Sequence, residues 1–265
     1  MDLPGRTVLL TGATGGLGHA IARELARRGA KLIVTGRRLD VLEPLADEIG
    51  ARAIGCDLAD PADVERLLDA TAAEVDAFVA NAALPASGDI STFSDDEIDS
   101  ALAVNLRAPM IMAARLAATM TERRSGHMVF VSSLSGRASS GGASIYAATK
   151  FGLRGFAHGL RDDLRDAGVG VSVVVPGFIR DSGMFHDANA KLPPFVGTRT
   201  SREVGEAVAH AIERDRAEIA VAPLSLRAGA ALGGLLPEVS ARVQRRLGGA
   251  KIAEDLAAGQ RDKRR

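Results

Sequence analysis

Short apolar runs alternate with longer stretches of helical periodicity along most of this chain. Residues 7–10, 31–35, 51–56, 77–80, 128–132, 169–175 and 218–221 are of strand length and nearly uniform in hydrophobicity. That is the pattern of parallel strands buried on both faces. Between them the apolar positions return with helical spacing, and Leu17, Ile21 and Leu25 put one apolar face on a first helix. Asp60-Pro61 reads as an N-cap followed by proline at the first helical position, and Ser94 with Glu97 has the spacing of a capping box. Strands and helices alternating through right-handed crossovers predict an α/β fold: a Rossmann-type, doubly wound, seven-stranded parallel sheet flanked by helices.

Two regions break the rhythm. Residues 178–200 are irregular, carry Pro193-Pro194 and Gly197, and directly follow a predicted strand. They lie on the edge where such sheets bind ligands, and a loop of this length is expected to be functional or disordered. Residues 224–265 return to a helical pattern through Leu224, Leu226, Leu232, Leu235, Leu236, Val239, Val243 and Leu247. The expected organisation is a Rossmann domain over 1–223 and a helical extension of the same domain over 224–265, with the basic end at 261–265 frayed. The leucines interleave with Arg227, Arg242, Arg245 and Arg246, which also suits a helix lying on a membrane surface. Packing against the domain or a neighbouring subunit is the commoner fate of such a helix.

Composition narrows the class. A chain of 265 residues with 46% apolar content can bury a large core. Its 33 basic and 33 acidic residues cancel, so nothing global points to nucleic acid or to an anionic membrane. The single cysteine, Cys56, excludes an internal disulfide framework and suits a reducing compartment. A first strand beginning at Thr7 leaves no room for a secretory signal, and no apolar run of about 20 residues occurs. A cytoplasmic protein is therefore expected. The five histidines lack metal-ligand spacing, so no metal is expected; His19 and His210 read as helix-surface residues. His186 reads as an exposed loop residue, with substrate contact the alternative, and its neighbours Met184 and Phe185 as pocket lining or loop packing.

Candidate chemistry begins at Thr11-Gly12-Ala13-Thr14-Gly15-Gly16-Leu17-Gly18, between the first strand and the first helix. Glycines there permit a tight turn and let backbone N–H groups approach a pyrophosphate at the positive end of the helix. No Lys-Ser/Thr pair follows, so this is not a Walker loop. The next strand ends Thr35-Gly36-Arg37-Arg38. A carboxylate at that place would accept from a ribose 2′-hydroxyl and select NAD; two guanidiniums suit a 2′-phosphate instead. NADP(H) is the preferred cofactor on this reading, with NAD(H) left open.

Tyr146-Ala147-Ala148-Thr149-Lys150 opens a predicted helix and puts Tyr146 and Lys150 on one face. A free phenol has a pKa near ~10, and a nearby ammonium lowers it. Ser132 and Ser133 end the fifth strand, thirteen or fourteen residues earlier, where a hydroxyl could hold a carbonyl oxygen against that phenol. No Gly-x-Ser-x-Gly surrounds them, so a serine hydrolase is not indicated.

With these motifs together, the chain resembles the short-chain dehydrogenase/reductase family, in its shorter single-domain branch, from about residue 5 to 222. The glycine turn matches the family's Thr-Gly-x-x-x-Gly-x-Gly. Asp57, followed by Leu58, matches its adenine-contacting acid, and Ala80-Asn81-Ala82-Ala83 its Asn-Asn-Ala-Gly element, with alanines in place of the first asparagine and the glycine. Asn105 matches the structural asparagine. Ser133, by the family's thirteen-residue spacing, matches the catalytic serine, and Tyr146 and Lys150 complete the set. Pro176-Gly177 and, beyond it, Ile179 match the element flanking nicotinamide, while Asp181 stands where a threonine often contacts the carboxamide.

The resemblance implies an oxidoreductase acting on a small carbonyl or alcohol. Tyr146 would donate the proton, Ser133 polarise the carbonyl, Lys150 bind the nicotinamide ribose and depress the phenol pKa, and Asn105 support a water relay to Lys150. It also implies a homodimer or homotetramer built on the helices after Asn105 and Tyr146, where Ala113-Ala114 and Ala117-Ala118 permit close approach. Apolar residues in 178–200 and in the C-terminal segment suggest a hydrophobic substrate. A non-catalytic NADP-binding sensor is the alternative, and a peripheral membrane enzyme acting on lipid-like alcohols a third reading.

Overall fold

The computed structural model describes residues 1–188, 192, 196–246 and 258–259. The apolar runs become β1 (Thr7–Thr11), β2 (Lys31–Gly36), β3 (Arg52–Gly55), β4 (Ala77–Ala80), β5 (Gly126–Val131), β6 (Val169–Pro176) and β7 (Glu218–Val221). They form one seven-stranded sheet in the order β3-β2-β1-β4-β5-β6-β7, and every adjacent pair is parallel. Strand order reverses between β1 and β4, which opens a crevice at the carboxyl ends of those strands.

Period-two alternation divides the core. Val8, Leu10, Val79 and Val174 face one side, where α1 (Gly16–Arg27), α2 (Leu39–Ile49) and α8 (Ser201–Arg214) pack. Leu9, Phe78, Phe130 and Val173 face the other, under α3 (Pro61–Thr71), α5 (Ala108–Glu122) and α6 (Ser144–Asp163). On α1, Ile21 and Leu25 are fully buried and stabilise its seat by roughly 1.5–3 kcal/mol each. Close approach of α1 and α8 depends on Gly205, where a Cβ would lie 2.9 Å from the Ala20 carbonyl oxygen. The scarce aromatics are pooled: Phe130 meets Phe78 and Phe156 edge-on, at centroid distances of 6.2 and 5.6 Å.

The Asp60 cap and the Ser94–Glu97 capping box both form, the latter opening α4 (Asp95–Leu102). α4 runs on through a π-helical turn, Ala103–Arg107, into α5. Pro109 has no N–H to return to the Asn105 carbonyl, so an ordinary α-helical turn is not available there. The joined helix Asp95–Glu122 is long and apolar enough to cross a membrane, yet Met112, Leu116 and Met120 on it are fully buried in the core.

Several strand ends differ from the sequence reading by a residue; two differences are larger. β5 starts at Gly126 rather than 128 because His127, polar in pattern, is buried with its Nε2 2.9 Å from the Ser172 hydroxyl on β6. The 178–200 segment is not wholly irregular: it contains α7 (Gly183–Asp187) and a parallel bridge between Ile179 and Arg199. Pro193-Pro194 lies outside the described residues. The extension forms α9 (Leu224–Leu235) and α10 (Pro237–Arg246), and the basic stretch 261–265 lies outside the described residues.

Candidate active site

The glycine turn is shaped from beneath. Gly12 has φ +68°, and a Cβ on it would lie 2.6 Å from the Ala82 Cα. A Cβ on Gly18 would overlap the Gly12 carbonyl. Asn81 fixes the turn by donating its side-chain amide to the carbonyls of Thr11 and Gly12, at 3.1 and 3.2 Å. Thr11 itself does not reach the crevice. It is buried, and its hydroxyl accepts from the Asn81 and Ala82 N–H groups at 3.1 and 3.2 Å. It is therefore a lock between β1 and the loop after β4, not the direct cofactor contact expected from the motif.

α1 begins without a side-chain cap: its N-cap is Gly15, and no acid lies in its first turn. The first N–H groups of the helix thus face the crevice with their positive partial charge uncompensated. A Cβ on Gly15 would meet nothing nearer than the Gly12 carbonyl oxygen at 3.6 Å, so the space above it is open. At the far end, Arg38 donates to the Thr14 carbonyl at 2.7 Å, and Arg37 Nη1 lies 3.9 Å from Asp57 Oδ2. Both arginines line the crevice with Asp57 and Leu58. Gly36, before them, has no room for a side chain; a Cβ there would sit 2.8 Å from Thr14.

At the centre stand Ser133, Tyr146 and Lys150. Ser133 follows β5 in extended conformation and caps one turn of 3₁₀ helix, Leu134–Gly136, accepting from the Ser135 N–H at 3.1 Å. It lines the same cleft as the Tyr146 phenol and acts to lower that phenol's pKa. Ser132 points the other way and donates to the Lys150 carbonyl at 3.0 Å. Lys150 is buried; its Nζ donates to the Val131 carbonyl at 2.9 Å and lies 5.7 Å from the centroid of the Tyr146 ring.

The electrostatics differ from expectation. Burial pushes the phenol up to about 12, with Ser133 acting in the opposite direction. Burial also pulls the Lys150 ammonium down to about 8. In the protein alone, desolvation outweighs any depression of Tyr146 by Lys150, whose ammonium is turned to the Val131 carbonyl.

Asn105 is fully buried and stands off the crevice. Its Oδ1 accepts from the Leu84 N–H at 2.6 Å, and its Nδ2 donates to the Leu84 carbonyl at 2.9 Å and to Thr149 Oγ1 at 3.4 Å. The side chain clamps the loop after β4 to α6, next to Lys150.

Pro176, Gly177 and Ile179 line the crevice beyond β6, but Asp181 does not. Its carboxylate accepts from the N–H and hydroxyl of Ser201 at 2.8 and 3.2 Å, at the start of α8. The residue that turns inward is Ser182, which the sequence reading missed. It precedes α7 yet makes no capping hydrogen bond, and its buried hydroxyl has no partner. It packs against the start of α1, where a Cβ on Gly16 would lie 2.5 Å from the Ser182 Cβ.

The whole cleft encloses about 1020 Å³, at the upper end of the ~300–1,000 Å³ usual for small-molecule sites. Past the phenol its walls are apolar: Phe178 and Phe185, with centroids 5.0 Å apart, Met184, and Leu226 and Leu232 of α9. His186 is exposed, 3.4 Å from Asp187, and outside this lining. An uncapped helix, a glycine cradle, two arginines and an orphaned buried hydroxyl form a donor set that fits a dinucleotide carrying an extra phosphate.

A family model described as short chain dehydrogenase matches residues 6–193. The chain belongs to the short chain dehydrogenase family. Its relatives include the ketoacyl reductase HetN of Nostoc sp., 34% identical over 228 residues, covering 83% of this chain and 79% of HetN. The 3-oxoacyl-acyl-carrier-protein reductase FabG of Escherichia coli is 34% identical over 184 residues, covering 68% and 75%. Among solved structures, a short-chain dehydrogenase from Sphingobium yanoikuyae in complex with NADPH superposes with a TM-score of 0.77 at 27% identity, over 89% of this chain and 95% of that one. As a short chain dehydrogenase, the protein is an NAD(P)-dependent oxidoreductase. The matched region stops at 193, so α9 and α10, which roof the apolar end of the cleft, lie beyond it.

Proposed function

We propose that this dehydrogenase reduces a hydrophobic ketone or aldehyde with NADPH, Tyr146 serving as the general acid. The observation that carries the reading is that Ser133, Tyr146 and Lys150 line one cleft with an uncapped α1 and two arginines. The N–H groups opening α1 and the Ser182 hydroxyl would hold the cofactor's pyrophosphate half, and Arg37 and Arg38 its 2′-phosphate; Asp57 and Leu58 would flank the adenine. Ser182 thereby takes the place that the motif alone gives to Asp181. When bound, the cofactor supplies the hydride for the carbonyl carbon.

The chain's own groups then manage the oxygen. The Ser133 hydroxyl orients the substrate carbonyl, and the Tyr146 O–H delivers its proton as negative charge develops there. A phenol held up to about 12 is fully protonated at neutral pH, the state a proton donor needs. Lys150, held down to about 8 yet still mostly charged at pH 7, compensates the phenolate left behind. Net direction follows the cofactor ratio, and a preference for NADP(H) would tilt it toward reduction. Phe178, Phe185, Met184 and the α9 leucines favour an apolar substrate, and two relatives bear the names of ketoacyl reductases. A homodimer or homotetramer through α5 and α6, where Met110 and Phe151 are exposed, is part of this proposal.

The test is NADPH consumption over aliphatic ketones and ketoacyl thioesters of increasing chain length. Turnover rising with apolar chain length supports the reading. Saturable NADPH binding with no turnover on any carbonyl overturns it in favour of a cofactor sensor.

A further inference from the structure

The polar face of α6 does not end at Lys150. Tyr146, Lys150, Arg154 and His158 recur every four residues and so share one face of the helix. The last two converge on a single carboxylate, Glu218, at the start of β7. Arg154 Nε donates to Glu218 Oε2 at 2.6 Å and Nη2 to Oε1 at 3.4 Å, and His158 Nε2 lies 2.8 Å from Oε2. A third cation reaches the same carboxylate from elsewhere. Arg137, which ends the 3₁₀ turn that Ser133 begins, pairs with Oε1.

Glu218 is only 13% exposed. Burial raises its carboxyl, but hydrogen bonds from Arg154, His158 and Arg137 outweigh that and leave it below the usual carboxylate range. Such an ion cluster is a weak source of stability, because desolvating the charges offsets most of their attraction. What it does supply is geometry. Ser133 sits on a turn and Tyr146 on a helix, and the two segments touch closely: a Cβ on Gly136 would lie 2.5 Å from Ser132 Oγ and 2.7 Å from the Lys150 carbonyl oxygen. A displacement of the turn along α6 is therefore a displacement of one reacting hydroxyl against the other. The roof is registered at the same place, since a Cβ on Gly234 of α9 would lie 3.0 Å from the Arg137 carbonyl oxygen.

We propose that Glu218 is a positioning residue for the reduction: by holding Arg137 and Arg154 on one carboxylate, it fixes the Ser133 turn against the face of α6 that carries Tyr146 and Lys150. The proposal rests on the reading of Ser133 and Tyr146 as the reacting pair. Glu218 touches neither the cofactor cradle nor the apolar chamber, so its role is confined to the alignment of that pair.

The experiment uses the full chain with NADPH and the best ketone from the substrate panel. Glu218→Gln keeps the volume and an acceptor but removes the charge that gathers the two arginines. The expected result is a fold intact by circular dichroism, a Kd for NADPH and a KM within about threefold of wild type, and kcat lowered about tenfold or more, since small misplacements of reacting groups are costly. In a Ser133→Ala background the same substitution should lower kcat less than twofold, because the alignment it protects is already gone. Glu218→Asp, which keeps the charge, should recover part of the loss. Where Glu218→Gln does not fold, Arg154→Gln at the more exposed arm carries the test, with about threefold lost from kcat at unchanged Kd. An unchanged kcat in folded Glu218→Gln or Arg154→Gln overturns the proposal, as does a full tenfold loss in the Ser133→Ala background. Wild-type turnover that Ser133→Ala leaves intact overturns instead the assignment of the reacting pair, and with it this one.

Discussion

Replacing Arg38 by alanine separates two jobs that the structure gives one guanidinium. Arg38 lines the cleft where an extra phosphate would sit, and it also donates to the Thr14 carbonyl at 2.7 Å, bracing the glycine turn. A charge-assisted hydrogen bond to a phosphate contributes roughly 1.5–3 kcal/mol. The side chain is exposed, so screening places the contribution at the low end, about 1.5 kcal/mol, which corresponds to roughly tenfold in Kd. Loss of the Thr14 contact acts on either cofactor; loss of the phosphate contact acts only on NADP(H). The predicted result is therefore a fall of about tenfold in the ratio of NADH to NADPH dissociation constants, on top of a smaller weakening common to both. Arg37→Ala should shift the ratio in the same direction, because it also removes the cation that lies 3.9 Å from Asp57 and leaves that carboxylate to repel the phosphate. Fluorescence titration of each variant with NADPH and NADH reads both quantities, and higher salt should narrow the wild-type preference. A ratio that stays at the wild-type value in Arg37→Ala and Arg38→Ala would refute the assignment of these two residues to the 2′-phosphate.

Three further outcomes follow from the geometry and the charge states. Gly12→Ala forces a Cβ into left-handed backbone and to within 2.6 Å of the Ala82 Cα; it should cost about 2 kcal/mol or more, seen as a lowered Tm, and weaken NADPH and NADH alike. Reduction should slow as pH rises through about 8, because the Lys150 ammonium that compensates the phenolate is lost there; a rate flat from pH 7 to 10 would contradict that role. His127 is held down to about 4 by burial, against ~6.5 in an unfolded chain. The unfolded state then binds the extra proton between those values, so the stability this group contributes is present above pH 6.5 and is lost, by about 3 kcal/mol, as pH falls to 4. Denaturant melts of wild type and His127→Gln should converge in their pH dependence if another group is responsible.

The sheet was legible because its strands are buried on both faces and read as uniform apolar runs; β5 blurred only where His127 hides a polar ring against Ser172. The site was legible to within one residue, and two of its errors share a cause. In extended backbone successive side chains point to opposite sides, so a motif locates a pair more readily than it chooses the inward member. Ser132 and Ser133 illustrate this, and family spacing resolved them. At Asp181 and Ser182 it chose the residue that faces Ser201, while the unpartnered hydroxyl of the next residue turns to the cleft. Thr11 is similar, buried between β1 and the β4 loop. The direction of the Tyr146 shift was not readable at all, since four-residue spacing reveals the ammonium but not how deeply both groups are buried. Likewise Arg154 and His158 stand in line with Lys150 in the sequence, but their shared partner Glu218 lies 64 and 60 residues away.

Single-turnover reduction by Tyr146→Phe, measured beside its NADPH dissociation constant, bears most directly on the phenol as proton donor. The substitution removes one oxygen and leaves the ring, so cofactor binding should stay within a few-fold of wild type while the reduction rate drops by roughly 10²–10⁴. A variant that binds NADPH normally and still reduces its ketone at the wild-type rate would contradict the account.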